Sequence, residues 1–106
     1  MATKTNKKAP AVFWDLRLYV AGQTPRSART IESLLEVCET HLKGQYKVQI
    51  IDLIRNPKKA REDQILATPT LVRRLPPPLR KLIGDLTNVD KVLTSLGLFP
   101  RLRTAF

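Results

Sequence analysis

Apolar and polar residues alternate near the start of the chain, between Phe13 and Val20. One side of this segment carries Asp15, Arg17 and Tyr19. The other side is apolar and consists of Trp14, Leu16, Leu18 and Val20. A period of two is typical of a β-strand with one buried face, so we expect the fold to begin with a strand here.

A helix is predicted after the break at Ala21-Gly22-Gln23. Thr24 is a favourable N-cap residue, and Pro25 suits the first helical position. The apolar residues that follow recur at helical spacing, and they are Ala28, Ile31, Leu34, Leu35, Cys38 and Leu42. Gly44 is expected to end this helix.

The segment from Tyr46 to Ile54 is rich in β-branched and aromatic residues, and its polar residues are Lys47, Gln49 and Asp52. This composition indicates a strand covered on both faces, and we predict a central position in the sheet. A strand, a helix and a strand in succession form a βαβ unit with two parallel strands.

The pattern is ambiguous beyond this unit. Asn56-Pro57 predicts a short polar helix to about Gln64, and Thr68-Pro69 interrupts the apolar stretch that follows. Thr70–Leu75 and Leu79–Ile83 each suit a strand, with three prolines between them. Short helices would fit much of the same sequence, so both interpretations stay open.

A last helix is expected between Thr87 and Gly97. Thr87 and Asp90 resemble a capping box, and apolar residues follow at helical spacing. Val92 and Leu93 would also suit a strand. The predicted order is β-α-β-α-β-β-α, an α/β domain, and with a proline just before the third strand it resembles the thioredoxin fold.

The residues present do not support redox chemistry, and they do not supply a pair of nucleophile and base. A redox thioredoxin carries Cys-x-x-Cys where the first strand meets the first helix, because a helix N-terminus lowers the pKa of a thiol. That junction reads Ala21 to Ser27 and holds no cysteine. Cys38 lies on the apolar side of the first helix, where we expect it to fill the core, and His41 has no partner at catalytic spacing. No enzymatic activity, cofactor or metal site is expected.

The chain carries a formal net charge of +10. This charge raises nucleic acid, an anionic membrane surface and an acidic protein as partners. Many basic residues lie between Arg55 and Lys81, a segment without the Phe, Tyr or Trp that would stack on bases. A basic nucleic-acid-binding module is therefore kept only as an alternative.

At 106 residues the chain has the length of one domain with tails. Residues 1–11 are basic and poor in apolar side chains, so we expect a disordered N-terminal tail. The domain is expected over residues 12–100, followed by a basic tail at 101–106. We find no membrane span, no secretory signal and no cysteine pair, which predicts a cytoplasmic protein.

Several blocks of the sequence resemble the KaiB family, in that family's order and spacing. They are Leu18-Tyr19-Val20-Ala21-Gly22 with Thr24-Pro25, Ile51-Asp52-Leu53 with Asn56-Pro57, Ile65 to Leu71, Leu75-Pro76 to Pro78, and Ile83-Gly84-Asp85-Leu86. Each block is weak alone, but together they are specific over residues 16–98.

The resemblance implies a non-enzymatic regulator that binds the N-terminal ATPase lobe of a KaiC-like hexamer, in a circadian clock or in stress signalling. It implies two packings: a thioredoxin-like one that binds KaiC, and a ground-state dimer or tetramer with the order β-α-β-β-α-α-β. KaiA, or a histidine kinase with a KaiB-like sensor domain, is implied as a further partner. A thioredoxin-like domain with another protein target is the alternative.

Particular residues also follow from the resemblance. The partner-binding positions are Arg29, Arg73, Arg80 and Lys81, expected to form one anion-seeking face, with Lys47 and Gln49 on the second strand as further candidates. The candidates for cis peptide bonds are Pro69, Pro77 and Pro78. Two positions where clock members often carry Gly and Asp read Ser95 and Gly97, and we expect them to influence which packing dominates.

Overall fold

The computed structural model describes residues 12–84 and 86–98. The elements are β1 (Trp14–Val20), α1 (Pro25–His41), β2 (Tyr46–Asp52), α2 (Pro57–Glu62), β3 (Thr70–Leu75), β4 (Arg80–Ile83) and α3 (Val89–Leu96). The predicted order β-α-β-α-β-β-α is confirmed. The two predicted tails lie outside the described residues, as do the last two positions of the predicted domain.

The four strands form one sheet in the order β2-β1-β3-β4. β1 and β2 are parallel, as the βαβ prediction requires, while β3 is antiparallel to both of its neighbours. The prediction that β2 is a central strand is wrong. β2 lies at an edge because β3 pairs with the other side of β1, and of its seven residues only Ile51 is buried.

The side chains of the sheet alternate between two faces. We call the first the α1/α3 face, because the main apolar core joins it to those two helices. That core includes Trp14, Leu16, Leu18, Leu34, Cys38, Leu71, Val92 and Leu96. The opposite face, called the α2 face, carries a smaller core of Tyr19, Ile51, Ile65 and Val72. Ile65 follows α2 in the chain, which places α2 on this side.

The start of α1 agrees with the sequence signals. The Thr24 hydroxyl oxygen accepts a hydrogen bond from the Ser27 amide at 3.0 Å, and Pro25 occupies the first turn. Leu34 and Cys38 then face the core one helical turn apart. The helix ends at His41, and Gly44, with a φ of 76°, turns the chain towards β2.

In the second half of the chain, where the sequence fitted either strands or short helices, the structure contains two strands and then a helix. β3 and β4 are linked by four residue pairs. Asn88 caps α3 by accepting a hydrogen bond from the Lys91 amide at 3.1 Å, one position later than the predicted cap. Val92 and Leu93 are buried in this helix rather than in a strand.

Among the described residues, three X-Pro peptide bonds are cis, namely those before Pro69, Pro76 and Pro78. The expectation of a cis bond before Pro77 is wrong, and Pro76 takes such a bond instead. The turn must return the chain from β3 into an antiparallel β4, and three adjacent prolines offer no local signal for which of them adopts the cis form.

Candidate functional site

A hollow of about 250 Å³ lies between the start of α1 and the segment before β3. Thr24 and Ser27 line one side, and Thr68 and Pro69 line the other. This is the junction at which a redox thioredoxin would carry its cysteines. None of the lining side chains is a cysteine, a histidine or a carboxylate, so the hydroxyl groups have no base beside them to activate a nucleophile.

The single thiol lies in the core rather than in this hollow. Cys38 is fully buried, which confirms the prediction that it fills the core. Burial raises the pKa of the Cys38 thiol to about 11, and the charge of Glu39 adds to this shift. A thiol that stays protonated at neutral pH is a poor nucleophile and a poor metal ligand.

Within residues 12–84 and 86–98, no group of three His, Cys, Asp or Glu side chains is placed to hold a metal ion. No helix in those ranges is long and apolar enough to cross a membrane. The residues predicted to bind a partner are therefore the candidate functional site.

Arg73 lies inside the protein, with 6% of its surface exposed. Its Nη1 donates a hydrogen bond to the Leu96 carbonyl at 2.8 Å, and its Nη2 donates one to the Pro78 carbonyl at 2.8 Å. The guanidinium also lies 5.7 Å from the centre of the Trp14 ring. That Arg73 contacts a partner stays a prediction. In this packing its position on β3 directs its side chain between β4 and α3.

Arg80 and Lys81 are both exposed, but as neighbours on a strand they point to opposite faces. Arg80 pairs with Arg73 and shares the α1/α3 face. Burial lowers the pKa of Arg73, and the charge of Arg80 lowers it further. Lys81 shares the α2 face, where its Nζ donates to the carbonyls of Gln64 at 3.1 Å and Asp63 at 3.4 Å.

The remaining predicted contacts also divide between the faces. Arg29 is exposed on α1 and lines a hollow of about 230 Å³ together with Pro69 and Gly84. Lys47 and Gln49 are exposed on the edge strand β2, on the α2 face. The predicted single face is thus two groups: Arg29 and Arg80 on one side, and Lys47, Gln49 and Lys81 on the other.

Ser95 and Gly97 lie at the end of α3, close to Arg73. Gly97 ends the helix with a φ of 85°, a left-handed conformation that favours glycine. A Cβ atom added to Gly97 would lie 3.0 Å from the Nη1 of Arg73. A larger residue at this position would therefore crowd the buried guanidinium and displace it by a few tenths of an ångström.

The α2 face also carries a polar cluster that the sequence pattern did not predict. The Tyr19 hydroxyl donates to the Asp63 carboxylate, and the Arg17 Nη1 lies 3.4 Å from the same oxygen. Burial and the bond to Asp63 raise the pKa of Tyr19, while Tyr19 and the charge of Asp63 raise that of Arg17. Alternation along β1 was the only sequence signal, since Asp63 lies 44 residues from Tyr19.

This arrangement defines a class of protein, a thioredoxin-fold domain without a redox centre. Solved structures support the fold. The N-terminal domain of Synechococcus elongatus SasA superposes with a TM-score of 0.67 at 21% identity, over 90% of this chain and 93% of that one. Mitochondrial thioredoxin 3 from Saccharomyces cerevisiae gives 0.63 at 18% identity, over 79% and 76% of the two chains.

The KaiB domain profile matches residues 17–98, and the chain belongs to the KaiB family. Two relatives are named circadian clock oscillator protein KaiB. The one from Picosynechococcus sp. is 54% identical over 83 residues, which cover 78% of this chain and 80% of the relative. The one from Prochlorococcus marinus is 49% identical over 90 residues, 85% of this chain and 77% of the relative. These names describe regulators rather than enzymes, which confirms the expectation that the chain has no enzymatic activity.

Proposed function

We propose that this chain is a clock or stress-signalling regulator that docks onto the N-terminal ATPase lobe of a KaiC-like hexamer in the cytoplasm. The observation that carries the proposal is about 50% identity to KaiB clock proteins over most of the chain, in a packing that exposes cations on two faces. KaiA, or a histidine kinase with a KaiB-like sensor domain, is the further partner.

The α1/α3 group, Arg29 and Arg80, is the docking contact we favour. Their guanidinium groups are exposed, whereas Lys81 on the other face already donates to two backbone carbonyls. Exposed charges at the rim of an interface mainly raise the association rate and weaken in salt. An acidic surface on the ATPase ring would therefore attract this face most strongly at low ionic strength.

Two double variants with the same change in net charge test this assignment. Arg29→Glu with Arg80→Glu alters the α1/α3 group, and Lys47→Glu with Lys81→Glu alters the other. We expect the first pair to slow association with the purified hexamer about tenfold at low salt, and the second pair to slow it less. Circular dichroism checks the fold of each variant. Equal losses would show that only net charge matters and would remove the assignment.

The regulator is also proposed to switch to a ground-state dimer or tetramer with the order β-α-β-β-α-α-β. The elements that this change would rebuild meet at Arg73, which joins β3, the turn after it and the end of α3. Two packings of one sequence need differ by only a few kcal/mol, so one contact of this kind can bias them.

Gly97→Ala should weaken the thioredoxin-like packing, because a side chain there crowds the Arg73 guanidinium and strains a left-handed backbone. Gly44→Ala is the matched control, since Gly44 also has a positive φ but an added Cβ meets nothing within 4 Å. Size-exclusion chromatography with light scattering should show more oligomer for Gly97→Ala than for Gly44→Ala. An unchanged monomer fraction in a folded Gly97→Ala variant contradicts the switch.

The alternatives are another protein target and a nucleic acid. Between Arg55 and Lys81 there is no aromatic residue to stack on bases. A pull-down from lysate, with and without nuclease, separates the cases: retention of a hexameric ATPase after nuclease treatment supports the proposal, and nuclease-sensitive retention of nucleic acid alone contradicts it.

A further inference from the structure

A crevice of about 680 Å³ lies where β1 and β2 end, and the docking groups described above do not line it. The chain leaves β1 towards α1 on one face of the sheet and leaves β2 towards α2 on the other. Two neighbouring parallel strands whose connections diverge in this way open a gap at their carboxyl ends. In open α/β sheets this gap is the usual place for a ligand.

The inner walls of the crevice are apolar. Val20 from β1, Ile50 from β2, and Ala28 and Ile31 from α1 contribute to them. Ile50 keeps 39% of its surface exposed, although it lies on the same face as the main core. The volume falls within the roughly 300–1,000 Å³ of small-molecule pockets, so the crevice has room for a compact apolar body.

Polar groups stand at the mouth of the crevice, on the loop after β2. Arg55 is exposed there, and the Asn56 side chain makes no capping hydrogen bond to α2. On the opposite side, the first turn of α1 carries no acidic residue. Arg55 and Asn56 are therefore placed to receive a head group with hydrogen-bond acceptors.

Asp52 also lines the crevice, but its carboxylate is already engaged. Its Oδ1 accepts hydrogen bonds from the amides of Gly22 at 2.8 Å and Ile54 at 2.9 Å. The Ile54 amide, then the Gly22 amide, and then the amide and charge of Arg55 hold the pKa of Asp52 below its usual value. These two bonds tie the loop after β1 to the loop after β2, so the crevice is held open by the fold before any ligand enters.

We propose that this crevice binds a small amphipathic anion, with its apolar body between α1 and β2 and its carboxylate at Arg55 and Asn56. The apolar walls bury the body. Among the described residues, Arg55 is the one cation in the lining and selects the charge of the head group, since the Asp52 carboxylate is engaged by the amides of Gly22 and Ile54. This site is distinct from the ATPase-docking groups, and its test does not involve the hexamer.

The probes are three naphthalenes that differ only in head group: 2-naphthoate, 2-naphthalenemethanol and 2-naphthylmethylammonium. Binding is followed by the backbone amide signals of the full chain in NMR titrations. We expect 2-naphthoate to shift the signals of Gly22, Ala28 and Asp52 saturably, the alcohol to bind at least fivefold more weakly, and the ammonium compound to bind most weakly of the three.

Two pairs of variants locate the site. Ala28→Leu fills the crevice and should abolish binding, whereas Thr40→Leu adds the same side chain to an exposed position on α1 outside the lining and should leave it unchanged. Arg55→Gln should weaken 2-naphthoate about tenfold and leave the alcohol unaffected, and Arg61→Gln on α2 should change neither.

Three results would overturn the proposal. Equal binding of the anion and the cation would assign the crevice to an apolar side chain of a protein partner instead. Full binding to a folded Ala28→Leu variant would place the probe elsewhere. The absence of any saturable shift at millimolar 2-naphthoate would mean that the crevice has no such ligand.

Discussion

Each face of the sheet holds one arginine that is largely withdrawn from solvent, and the two are stabilised in different ways. Arg73 on the α1/α3 face is buried among two carbonyl groups and the Trp14 ring. Arg17 on the α2 face lies beside the Asp63 carboxylate and Tyr19. Their pKa values shift in opposite directions: burial lowers the pKa of Arg73, whereas the bond to Tyr19 and then the charge of Asp63 raise that of Arg17.

The partners of the two arginines show which segments of the chain each one connects. Arg73 joins three segments, because β3, the proline turn and the end of α3 all meet its guanidinium. Arg17 and Tyr19 join β1 to one residue only, Asp63, which directly follows α2. Carbonyl groups that lose a buried donor stay unsatisfied, so the connection made by Arg73 should be the more costly one to remove.

The largest expected effect comes from Arg73→Ala. It leaves the Leu96 carbonyl without a donor in the interior and the Pro78 carbonyl without one at a partly buried position. An unsatisfied buried group costs about 1–3 kcal/mol, and the contact with the Trp14 ring is lost as well, so we expect a loss of about 3 kcal/mol in the free energy of unfolding. Urea denaturation followed by circular dichroism measures it. The matched control is Arg74→Ala, which removes an exposed guanidinium 3.7 Å from the partly buried Asp15 carboxylate and should cost under about 1 kcal/mol. Equal costs for both variants would break the contrast.

A smaller effect is expected on the α2 face from Tyr19→Phe. This change removes the hydroxyl that donates to Asp63 and keeps the ring that packs in the smaller core, so the loss should be about 1.5 kcal/mol. Tyr46→Phe is the control, because the Tyr46 hydroxyl bonds Glu39 at an exposed position, and the denaturation midpoint should hardly move. A cost for Tyr19→Phe above that of Arg73→Ala would reverse the order of the two faces.

The smallest effect is a pH dependence. Burial, and then the bond to Asp63, raise the pKa of Tyr19 above its usual value. The neutral phenol is thus favoured in the folded state, so its contribution to stability is complete below about pH 10 and is lost as the pH rises further towards the folded-state pKa. In the Tyr46→Phe background Tyr19 is the only tyrosine. A pH titration of the phenolate absorbance therefore measures the ionisation of Tyr19 directly.

The same titration in urea should show phenolate forming near pH 10. In the folded protein the phenolate should form at higher pH. Asp63→Asn should lower the folded-state pKa part of the way towards its ordinary value, because the burial of Tyr19 remains. Ionisation of folded Tyr19 at its ordinary pKa would mean that the α2 face is more hydrated than its contacts indicate.

Local signals made the first half of the chain predictable. The period of β1, the Thr24 cap and Pro25 act within a few residues of one another, and each appears in the structure where the sequence placed it. The exposed cations Arg29, Arg80 and Lys81 were also identified, because charged side chains of a small domain are mostly at the surface. The edge position of β2 was not predictable, since it depends on which side of β1 the distant β3 occupies.

The sequence by itself determined the order of elements, the absence of a redox cysteine pair and, through its motifs, membership of the KaiB family. Only the tertiary structure decided that Arg73 is a buried connector, that Asp63 reaches Tyr19, and that a crevice opens after β1 and β2. The physical reason is distance along the chain. Periodicity and capping involve neighbouring residues, whereas the burial of a charge depends on segments that meet only when the sheet has formed.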